Sequence, residues 1–202
     1  MRILIVSQYF YPENFRINDF AFSLKNRGHE VTVLTGLPNY PKGKFFGEYK
    51  LFRQEEINGV IVYRVPLIPR FSSKGFQLAI NYLSFLFSSL MFGPAVLRKK
   101  NYDVVFTTNY SPATVGIVGV ILSRVKRARM ALWVQDLWPD SLKATGAVQS
   151  RVILKYIGIM VKWVYKNSQY ILIQSNAFKD PILSLGISNE KICYFPNWAE
   201  DL

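Results

Sequence analysis

The chain has 202 residues, of which 50% are apolar and 15% aromatic, so it can form one sizeable packed domain and is not a disordered protein. Lysine and arginine outnumber aspartate and glutamate by 25 to 13, an excess that favours an anionic partner such as a phospholipid surface, a phosphorylated substrate or a nucleic acid. The only histidine, His29, and the only cysteine, Cys193, argue against the usual histidine-based catalytic and metal sites and exclude an internal disulfide framework.

The amino-terminal half alternates apolar runs with a helical pattern. Its opening, MRILIVSQYF, has too short an apolar run for a signal peptide and lacks a small-residue cleavage site, so we expect a chain that is made and kept in the cytoplasm. Strands are predicted at residues 2–7 and 31–35, and a helix at about 14–26 that Gly28 ends. In EEINGVIVYRV, the Asn58-Gly59 pair predicts a β-hairpin with a type I′ turn.

The second half continues the alternation of strands and helices. Helices are predicted at about 75–99, 112–125, 150–167 and 176–185, and strands at 104–107, 129–134, 170–174 and 191–194. Cys193 lies in the last strand, in the apolar stretch KICYF, and is expected to be a buried structural thiol. Strands separated by helices indicate βαβ units with right-handed crossovers. The predicted fold is therefore a doubly wound, Rossmann-like α/β domain with a mostly parallel sheet and helices on both faces.

The predicted helix at 75–97 contains no charged residue, which is typical of a membrane span. However, Gln77, Asn81, Ser84 and Ser88 recur at helical spacing as one narrow polar stripe, and Pro94 interrupts the pattern. An amphipathic helix with a broad apolar face fits these residues better than a span. Two placements stay open for it, an interior helix that covers the sheet or a helix at a membrane surface.

The predicted helix at 150–167 combines basic and aromatic residues. Arg151, Lys155, Lys162 and Lys166 follow one side of it, and the segment RVKRAR at 124–129 is also basic. Such a face is usually only solvated, but here it suggests attraction to an anionic lipid surface. Nucleic acid is the weaker alternative, because no helix-turn-helix, RNP-like motif or zinc spacing occurs and the basic residues are spread over several helices.

Polar and aromatic residues gather in the segments that leave the predicted strands. These segments are 8–15, 36–44, 109–114, 135–141, 175–178 and 195–201. In open parallel sheets, ligands bind beyond the carboxyl ends of the strands, so we expect a cleft there that Asp136 and Asp140 face. A capping role is the simpler interpretation of two residues, with Asn14 at the start of the first helix and Asp136 at a helix beginning near Leu137.

Two further loops carry information about the ligand. The loop after the first strand, SQYFYPENFR, contains no glycine, so it lacks the backbone cradle for a dinucleotide pyrophosphate, which argues against a classical dehydrogenase. Arg16 opposes the dipole of the first helix, which favours a functional charge at that position. The long aromatic loop at 36–50 predicts a contact with substrate or membrane.

Several of these stretches resemble one family. SQYFYPENFRINDF, RGHEVTVLTGLPNYPKG, NGVIVYRVP, TTNYSPATVG, LWVQDLWPDSL and FPNWAED resemble, in this order, the amino-terminal domain of family 4 glycosyltransferases, which have the two-domain GT-B fold. GLPNYPKG together with QDLWPDSL is similar to the subgroup that builds O-antigen, colanic-acid and capsule repeat units, including L-fucosamine transferases.

The resemblance implies a retaining transfer of a sugar from a nucleotide donor, expected to be UDP-linked, to a saccharide on a polyprenyl diphosphate at the inner face of the plasma membrane. The acceptor would bind this domain, with no cofactor in the chain, and a carboxyl-terminal domain would bind the donor beyond a hinge at about 195–202. Many members have His-Asp where this chain has Gln135-Asp136. An amide can hydrogen-bond a sugar hydroxyl but cannot titrate, which fits proton transfer to the leaving phosphate.

On this basis Asp136 and Gln135 are the predicted catalytic residues, and Asn197 is placed at the hinge on the donor side. The predicted acceptor-binding residues are Glu13, Asn14, Arg16, Asn39, Tyr40, Asn109, Tyr110, Trp138 and Asp140. Two other functions stay open at this point. One is a non-catalytic acceptor-binding or membrane-recruiting subunit, and the other is a nucleotide-binding protein that uses the same rim of the sheet.

Overall fold

The computed structural model describes residues 1–46, 53–70 and 75–198. Within these residues one sheet has the strand order β3-β4-β2-β1-β5-β6-β7-β8. The strands are β1 Arg2–Val6, β2 Glu30–Gly36, β3 Arg53–Ile57, β4 Val60–Val65, β5 Val104–Asn109, β6 Arg129–Val134, β7 Tyr170–Ile173 and β8 Ile192–Tyr194. The helices are α1 Arg16–Asn26, α2 Gly75–Val96, α3 Val115–Lys126, α4 Asp140–Ala144, α5 Arg151–Asn167 and α6 Lys179–Ser184, with 3₁₀ turns at Asn176–Phe178 and Asn189–Lys191.

The sheet confirms the predicted doubly wound α/β fold. All neighbouring strands are parallel except β3 and β4, which form the predicted hairpin. Asn58 and Gly59 both have positive φ at its turn, 48° and 76°, as a type I′ turn requires. The chain runs outward from β1 through β2 to β4 and then returns to β5 on the other side of β1. The point between β1 and β5 is therefore the topological switch where an open sheet of this kind forms a crevice.

Alternating side chains of the strands build a core on each face of the sheet. Leu4 and Val6 pack with α2 and α3, and the same face continues through β6 and β7 to α5. Ile3 and Ile5 point the other way, toward α1 and the segment that carries Phe195 and Trp198. Helices α2, α3 and α5 thus lie side by side on one face, because α3 contacts both of the others.

Three local expectations are wrong. Helix α1 begins at Arg16 with Phe15 as its N-cap, so the exposed Asn14 does not cap it. Helix α4 begins at Asp140, three residues beyond the expected start, so Asp136 is not a cap either. Cys193 is exposed, because β8 is the edge strand of the sheet and little covers it. By contrast Gly28 ends α1 as predicted, with φ of 83° and its N–H donated to the Lys25 carbonyl over 2.9 Å.

Helix α2 packs against β2, β4 and α3. Among the described residues it is the one helix long and apolar enough, by length and composition, to cross a membrane, yet 33% of its most apolar stretch is buried inside the domain. Its predicted polar stripe faces inward, since Asn81 and Ser88 are buried. Asn81 accepts a hydrogen bond from Gln8 Nε2 over 2.7 Å and donates to the Ile68 carbonyl over 2.6 Å.

Candidate active site

A cavity of about 470 Å³ opens at the carboxyl ends of the strands, beside the switch point between β1 and β5. The loops after β1, β2, β4, β5 and β6 all reach it, and α2 contributes one side chain from above. It is lined by Tyr9, Phe15, Tyr40, Arg70, Tyr82, Tyr110, Ser111, Gln135 and Asp136. The rim that the sequence predicted thus contains a pocket large enough for a small saccharide.

Aromatic rings form one wall of this cavity. Tyr9 stacks on Phe15 with 5.0 Å between ring centroids, and Tyr40 and Tyr110 lie 5.3 and 5.7 Å from the same Phe15 ring. Burial raises the pKa of both Tyr9 and Tyr110 well above the usual range, so these phenols stay protonated and can donate hydrogen bonds at physiological pH. The Arg70 guanidinium lies 5.2 Å from the centroid of the Tyr40 ring. Such a wall suits the apolar faces and hydroxyl edges of a sugar ring.

Glu13 holds this aromatic wall in place from behind. Its side chain is buried, and one carboxylate oxygen, Oε1, accepts the backbone N–H groups of Asn39 and Tyr40 over 2.8 and 2.7 Å. The Phe10 N–H donates to Oε2 over 3.3 Å. Burial raises the pKa of Glu13 from 4.5 to about 7, although these three hydrogen bonds and the nearby Arg64 oppose that shift. The carboxyl group therefore joins the loop after β1 to the loop after β2.

Asn39 is engaged in the same support. It is fully buried, donates from Nδ2 to the Leu37 carbonyl over 3.0 Å, and accepts the Arg70 N–H at Oδ1 over 3.3 Å. The next residue, Tyr40, points its ring into the cavity. The 36–50 loop is thus described only in part, since residues 47–50 of the predicted contact lie outside the described residues.

Asp136 is the carboxylate of the cavity. It is half-buried, and its Oδ2 accepts a hydrogen bond from the indole Nε1 of the buried Trp138 over 3.1 Å. This bond holds the side chain at the end of β6, where it lines the cavity beside Gln135. Asp140 is exposed in the first turn of α4 and does not line the cavity. Both acids lie close enough to the buried Tyr165 to raise its pKa, after the larger effect of burial.

Three amide side chains meet beside Asp136. Asn197 Nδ2 donates to Gln135 Oε1 over 2.9 Å and to Gln174 Oε1 over 2.5 Å. Gln174 Nε2 in turn donates to the Gln135 carbonyl over 2.7 Å. These bonds fix which end of the Gln135 amide is the oxygen, so its buried Nε2 has no hydrogen-bond partner among the described residues and remains available as a donor.

Arg16 lies outside the cavity, on the side of the carboxyl-terminal segment. Its guanidinium carbon is 5.9 Å from the ring centroid of Trp198, which stacks on Trp133 at 5.7 Å. The Trp133 ring is also 6.0 Å from that of Tyr110. Of the predicted hinge, residues 195–198 pack here against the sheet, and 199–202 lie outside the described residues.

The predicted site residues fall into three groups. Tyr40, Tyr110, Gln135 and Asp136 line the cavity, and Glu13, Asn39, Asn109 and Trp138 are buried behind it. Asn14, Arg16, Asp140 and Asn197 lie outside that lining. Asn109 accepts the Gln135 N–H at its backbone carbonyl over 3.0 Å. Its side-chain Oδ1 has no partner within the described part of the chain.

Sequence reasoning missed five lining residues, namely Tyr9, Phe15, Arg70, Tyr82 and Ser111. Tyr9, Phe15 and Ser111 belong to rim segments that it had singled out, so their position in those segments could have found them. Arg70 precedes α2 and Tyr82 belongs to it, and no local pattern indicates that this helix begins beside the cavity. No group of three or more His, Cys, Asp or Glu side chains that could hold a metal occurs in residues 1–46, 53–70 and 75–198.

Comparison with known proteins decides the family. The glycosyl transferase 4-like domain model matches residues 14–198, nearly the whole chain. The chain belongs to this family. It is an amino-terminal domain of the family 4 GT-B type, as the sequence motifs predicted.

Individual relatives agree with that assignment. The chain is 23% identical over 209 residues to a protein of Escherichia coli named putative colanic acid biosynthesis glycosyl transferase WcaI, covering 99% of this chain and 51% of the relative. The crystal structure of Anabaena HepE with UDP and glucose superposes with a TM-score of 0.53 at 15% identity, over 98% of this chain and 44% of that one. A trehalose-phosphate synthase of Burkholderia xenovorans with glucose-6-phosphate gives 0.52 at 13% identity, over 91% and 43%. This glycosyltransferase domain spans about half the length of these proteins.

Proposed function

We propose that this domain binds the acceptor in a retaining glycosyltransferase that transfers a sugar from a nucleotide-sugar donor to a saccharide carried on a polyprenyl diphosphate. The observation that carries the proposal is the cavity at the switch point, where an aromatic wall faces the Asp136 carboxylate and the Gln135 amide. Aromatic faces and neutral or acidic hydrogen-bonding groups suit a hydroxyl-rich ligand.

The proposal assigns the acceptor and the donor to two different domains. GT-B enzymes bind their two substrates between two domains, and the chain spans about half the length of its relatives. We therefore assign the donor to a second domain that meets this rim beyond Asn197, as part of the same proposal. UDP in the related HepE structure supports a uridine diphosphate donor. The colanic-acid relative supports a role in bacterial surface polysaccharides such as O-antigen or capsule.

The residues of the cavity suggest how transfer proceeds. The acceptor sugar lies against Tyr9, Tyr40 and Tyr110, with one hydroxyl at Asp136. The carboxylate accepts a hydrogen bond from that hydroxyl, and this bond turns the reacting hydroxyl beside it on the same ring toward the anomeric carbon of the donor. Gln135 cannot take a proton and Asp136 is occupied by the neighbouring hydroxyl, so the leaving phosphate oxygen accepts the proton of the reacting hydroxyl from the same side as the attack. Attack and departure on one face retain the anomeric configuration.

The acceptor's lipid tail requires a membrane location. We propose that the enzyme acts on the cytoplasmic side of an anionic membrane as a peripheral protein. The 25 lysine and arginine residues outnumber the 13 aspartate and glutamate residues, and this positive excess supports attraction to such a surface.

The test uses the full-length natural protein. It is incubated with a panel of nucleotide sugars and a short-chain polyprenyl-diphosphate saccharide, and the products are identified by mass and by NMR of the new anomeric centre. We expect one new sugar in the donor's own anomeric configuration. An inverted product excludes the front-side mechanism. Hydrolysis of the donor with no transfer to any lipid-linked saccharide excludes the acceptor class.

A further inference from the structure

Helix α2 carries a row of exposed apolar side chains on its outer side. Its polar residues Asn81, Ser88 and Ser89 are buried, whereas Phe87 and Met91 are 65% and 66% exposed. The exposed apolar residues Phe76, Leu83, Phe87 and Met91 recur at intervals of seven, four and four residues, one stripe along the helix. These exposed side chains do not contribute to core packing, so polar residues could replace them without loss of stability. An apolar stripe at such positions indicates a binding surface.

Helix α5 carries a second stripe of the same kind. Val152, Tyr156, Ile159 and Trp163 follow at i, i+4, i+7 and i+11, and all of them are exposed. The basic residues Arg151, Lys155 and Lys162 each precede a residue of this stripe by one position, and Lys166 follows its last residue by three. An apolar line bordered by lysine and arginine is the pattern of helices that lie in a membrane interface.

The two stripes face the same side of the molecule. Helices α2, α3 and α5 pack on one face of the sheet, with α3 between the others, so their exposed sides all point away from that face. The exposed Arg98 and Lys99 follow the end of α2 and add positive charge at its far end. The amino-terminal ends of α2 and α5 lie at the rim that carries the cavity, where an added Cβ at Gly75 would be 3.9 Å from the Ala147 carbonyl.

We propose that the exposed stripes of α2 and α5 form a lipid-binding face on which the domain lies flat on an anionic bilayer, with its cavity at the edge of that face. Tyr82 of α2 lines the cavity, so a saccharide on a lipid carrier reaches the aromatic wall without its tail leaving the membrane. The membrane location rests on the proposed function, and the identity of the face rests on the exposed side chains.

A flat position fits better than a span. Phe85 and Ser89 of α2 are fully buried, and Asn81 hydrogen-bonds within the domain, so inserting this helix would break its packing on β2 and β4. Surface binding leaves those contacts intact and buries only the side chains that water now covers. The flanking cations select phospholipids with anionic head groups, because each adds attraction close to a negatively charged surface.

The test is co-sedimentation of the purified protein with phosphatidylcholine vesicles that contain or lack phosphatidylglycerol. We expect binding to the anionic vesicles that weakens in high salt. The double change Phe87→Glu with Met91→Glu should weaken this binding by about tenfold or more. Lys155→Glu should weaken it by about fivefold or more.

Matched controls distinguish the loss of this face from the change in net charge as the cause of weaker vesicle binding. Tyr170→Glu with Tyr194→Glu adds the same two negative charges at exposed aromatic residues of β7 and β8, and Arg27→Glu makes the same charge change as Lys155→Glu at the end of α1, on the opposite face of the sheet. Both should bind vesicles as the unchanged protein does.

Equal losses in the controls would overturn the proposal, as would equal binding to neutral vesicles in high salt. A dimer in solution that Phe87→Glu with Met91→Glu dissociates would instead assign the face to a second copy. Vesicle binding by a protein without transferase activity would contradict the proposed function alone.

Discussion

Asp136 is the residue on which the proposed sugar transfer depends most, through one carboxylate oxygen. Its Oδ2 is held by the Trp138 indole, which leaves Oδ1 for a hydroxyl of the proposed acceptor. We expect Asp136→Asn to lower kcat by about 10²-fold, the effect of misplacing a reacting group by about 1 Å. The fold should persist, because an amide oxygen can still accept the indole N–H. Initial-rate kinetics of the full-length enzyme, with circular dichroism of each variant, measure both effects.

Asp180→Asn is the control for that change, since it removes the same charge from an exposed position on α6. It should leave kcat within a factor of about two, as surface changes away from a site usually do. Unchanged turnover in Asp136→Asn would remove this carboxylate from the mechanism.

We expect Asn197 to affect the proposed reaction through Gln135. Its Nδ2 is the donor in two bonds to glutamine oxygens, so Asn197→Asp would replace that donor with an acceptor facing the same two oxygens. The Gln135 amide would then turn its NH₂ group toward the new carboxylate and away from the cavity. We expect kcat/KM to fall by about 10- to 100-fold, the effect of one or two lost hydrogen bonds to a substrate.

Two measurements distinguish a positioning role of Asn197 from general damage to the fold. One is the separate determination of kcat and KM, and the other is the activity of a conservative variant at the same position. The loss in Asn197→Asp should be recovered in part by Asn197→Gln, which restores a donor on a longer side chain. Asn189→Asp makes the same change in the exposed turn before β8 and should have no effect. Failure of Asn197→Asp to alter kcat/KM would mean that the amide cluster has only a structural role.

At the scale of elements, the rim loops are joined by buried polar groups and not by apolar packing alone. Arg64 of β4 is fully buried, pairs with Glu55 and donates to the Tyr11 carbonyl. Asn18 of α1 donates to the Glu13 carbonyl over 2.7 Å and accepts the Tyr11 N–H over 3.0 Å. Glu13 completes the arrangement by binding the N–H groups of the next loop.

This arrangement predicts a pH dependence of stability. The folded pKa of Glu13, about 7, lies above its ordinary value of 4.5, so folding favours the protonated carboxyl group. Its contribution is therefore fully present below about pH 4.5 and is lost as the pH rises through 7. Relative to Glu13→Gln, which does not titrate, the free energy of unfolding should fall by about 3 kcal/mol across this window, at 1.4 kcal/mol per pKa unit.

Urea titrations of both proteins at several pH values between 4 and 8 give this difference directly. Because the variant keeps every other titratable group, including Arg64 and Asp103, their contributions cancel in the comparison. A difference that stays constant with pH, or that grows in favour of Glu13 as the pH rises, would contradict the raised pKa.

The sequence could predict the elements because their signals are local. Apolar runs of five or six residues, the Asn58-Gly59 turn and the glycine after α1 depend only on neighbours in the chain. It could not predict that Asp136 binds Trp138 instead of capping a helix, because an aspartate before a Leu-Trp-Pro turn suits either role. Nor could it predict Cys193 as exposed, since an apolar stretch does not reveal that its strand lies at a sheet edge.

At the scale of the whole molecule, the topology explains which part of the site was predictable. Parallel strands bring their following loops to one rim, so Gln135, Asp136, Tyr40 and Tyr110 could be assigned to a common cleft before any coordinates. Arg70 and Tyr82 reach the same cleft because α2 begins at the rim and then runs along one face of the sheet from β4 to β5. That crossing is a property of the assembled sheet, and no stretch of sequence contains it.

The final prediction is that this domain binds UDP only weakly on its own. The loop after β1 contains no glycine that would let backbone N–H groups approach a diphosphate, and the cavity places Asp136 among aromatic rings with Arg70 as its cationic residue. We expect the 202-residue chain to bind UDP with a Kd no tighter than about 1 mM, a free energy near −4 kcal/mol. A natural protein that carries the proposed second domain should bind UDP far more tightly, because that domain would supply the phosphate contacts. Isothermal titration of both proteins, with uridine as a control for the base alone, measures the difference. Micromolar binding of UDP by the isolated chain would transfer the donor site to this rim, and the protein would then be a nucleotide-binding domain in its own right.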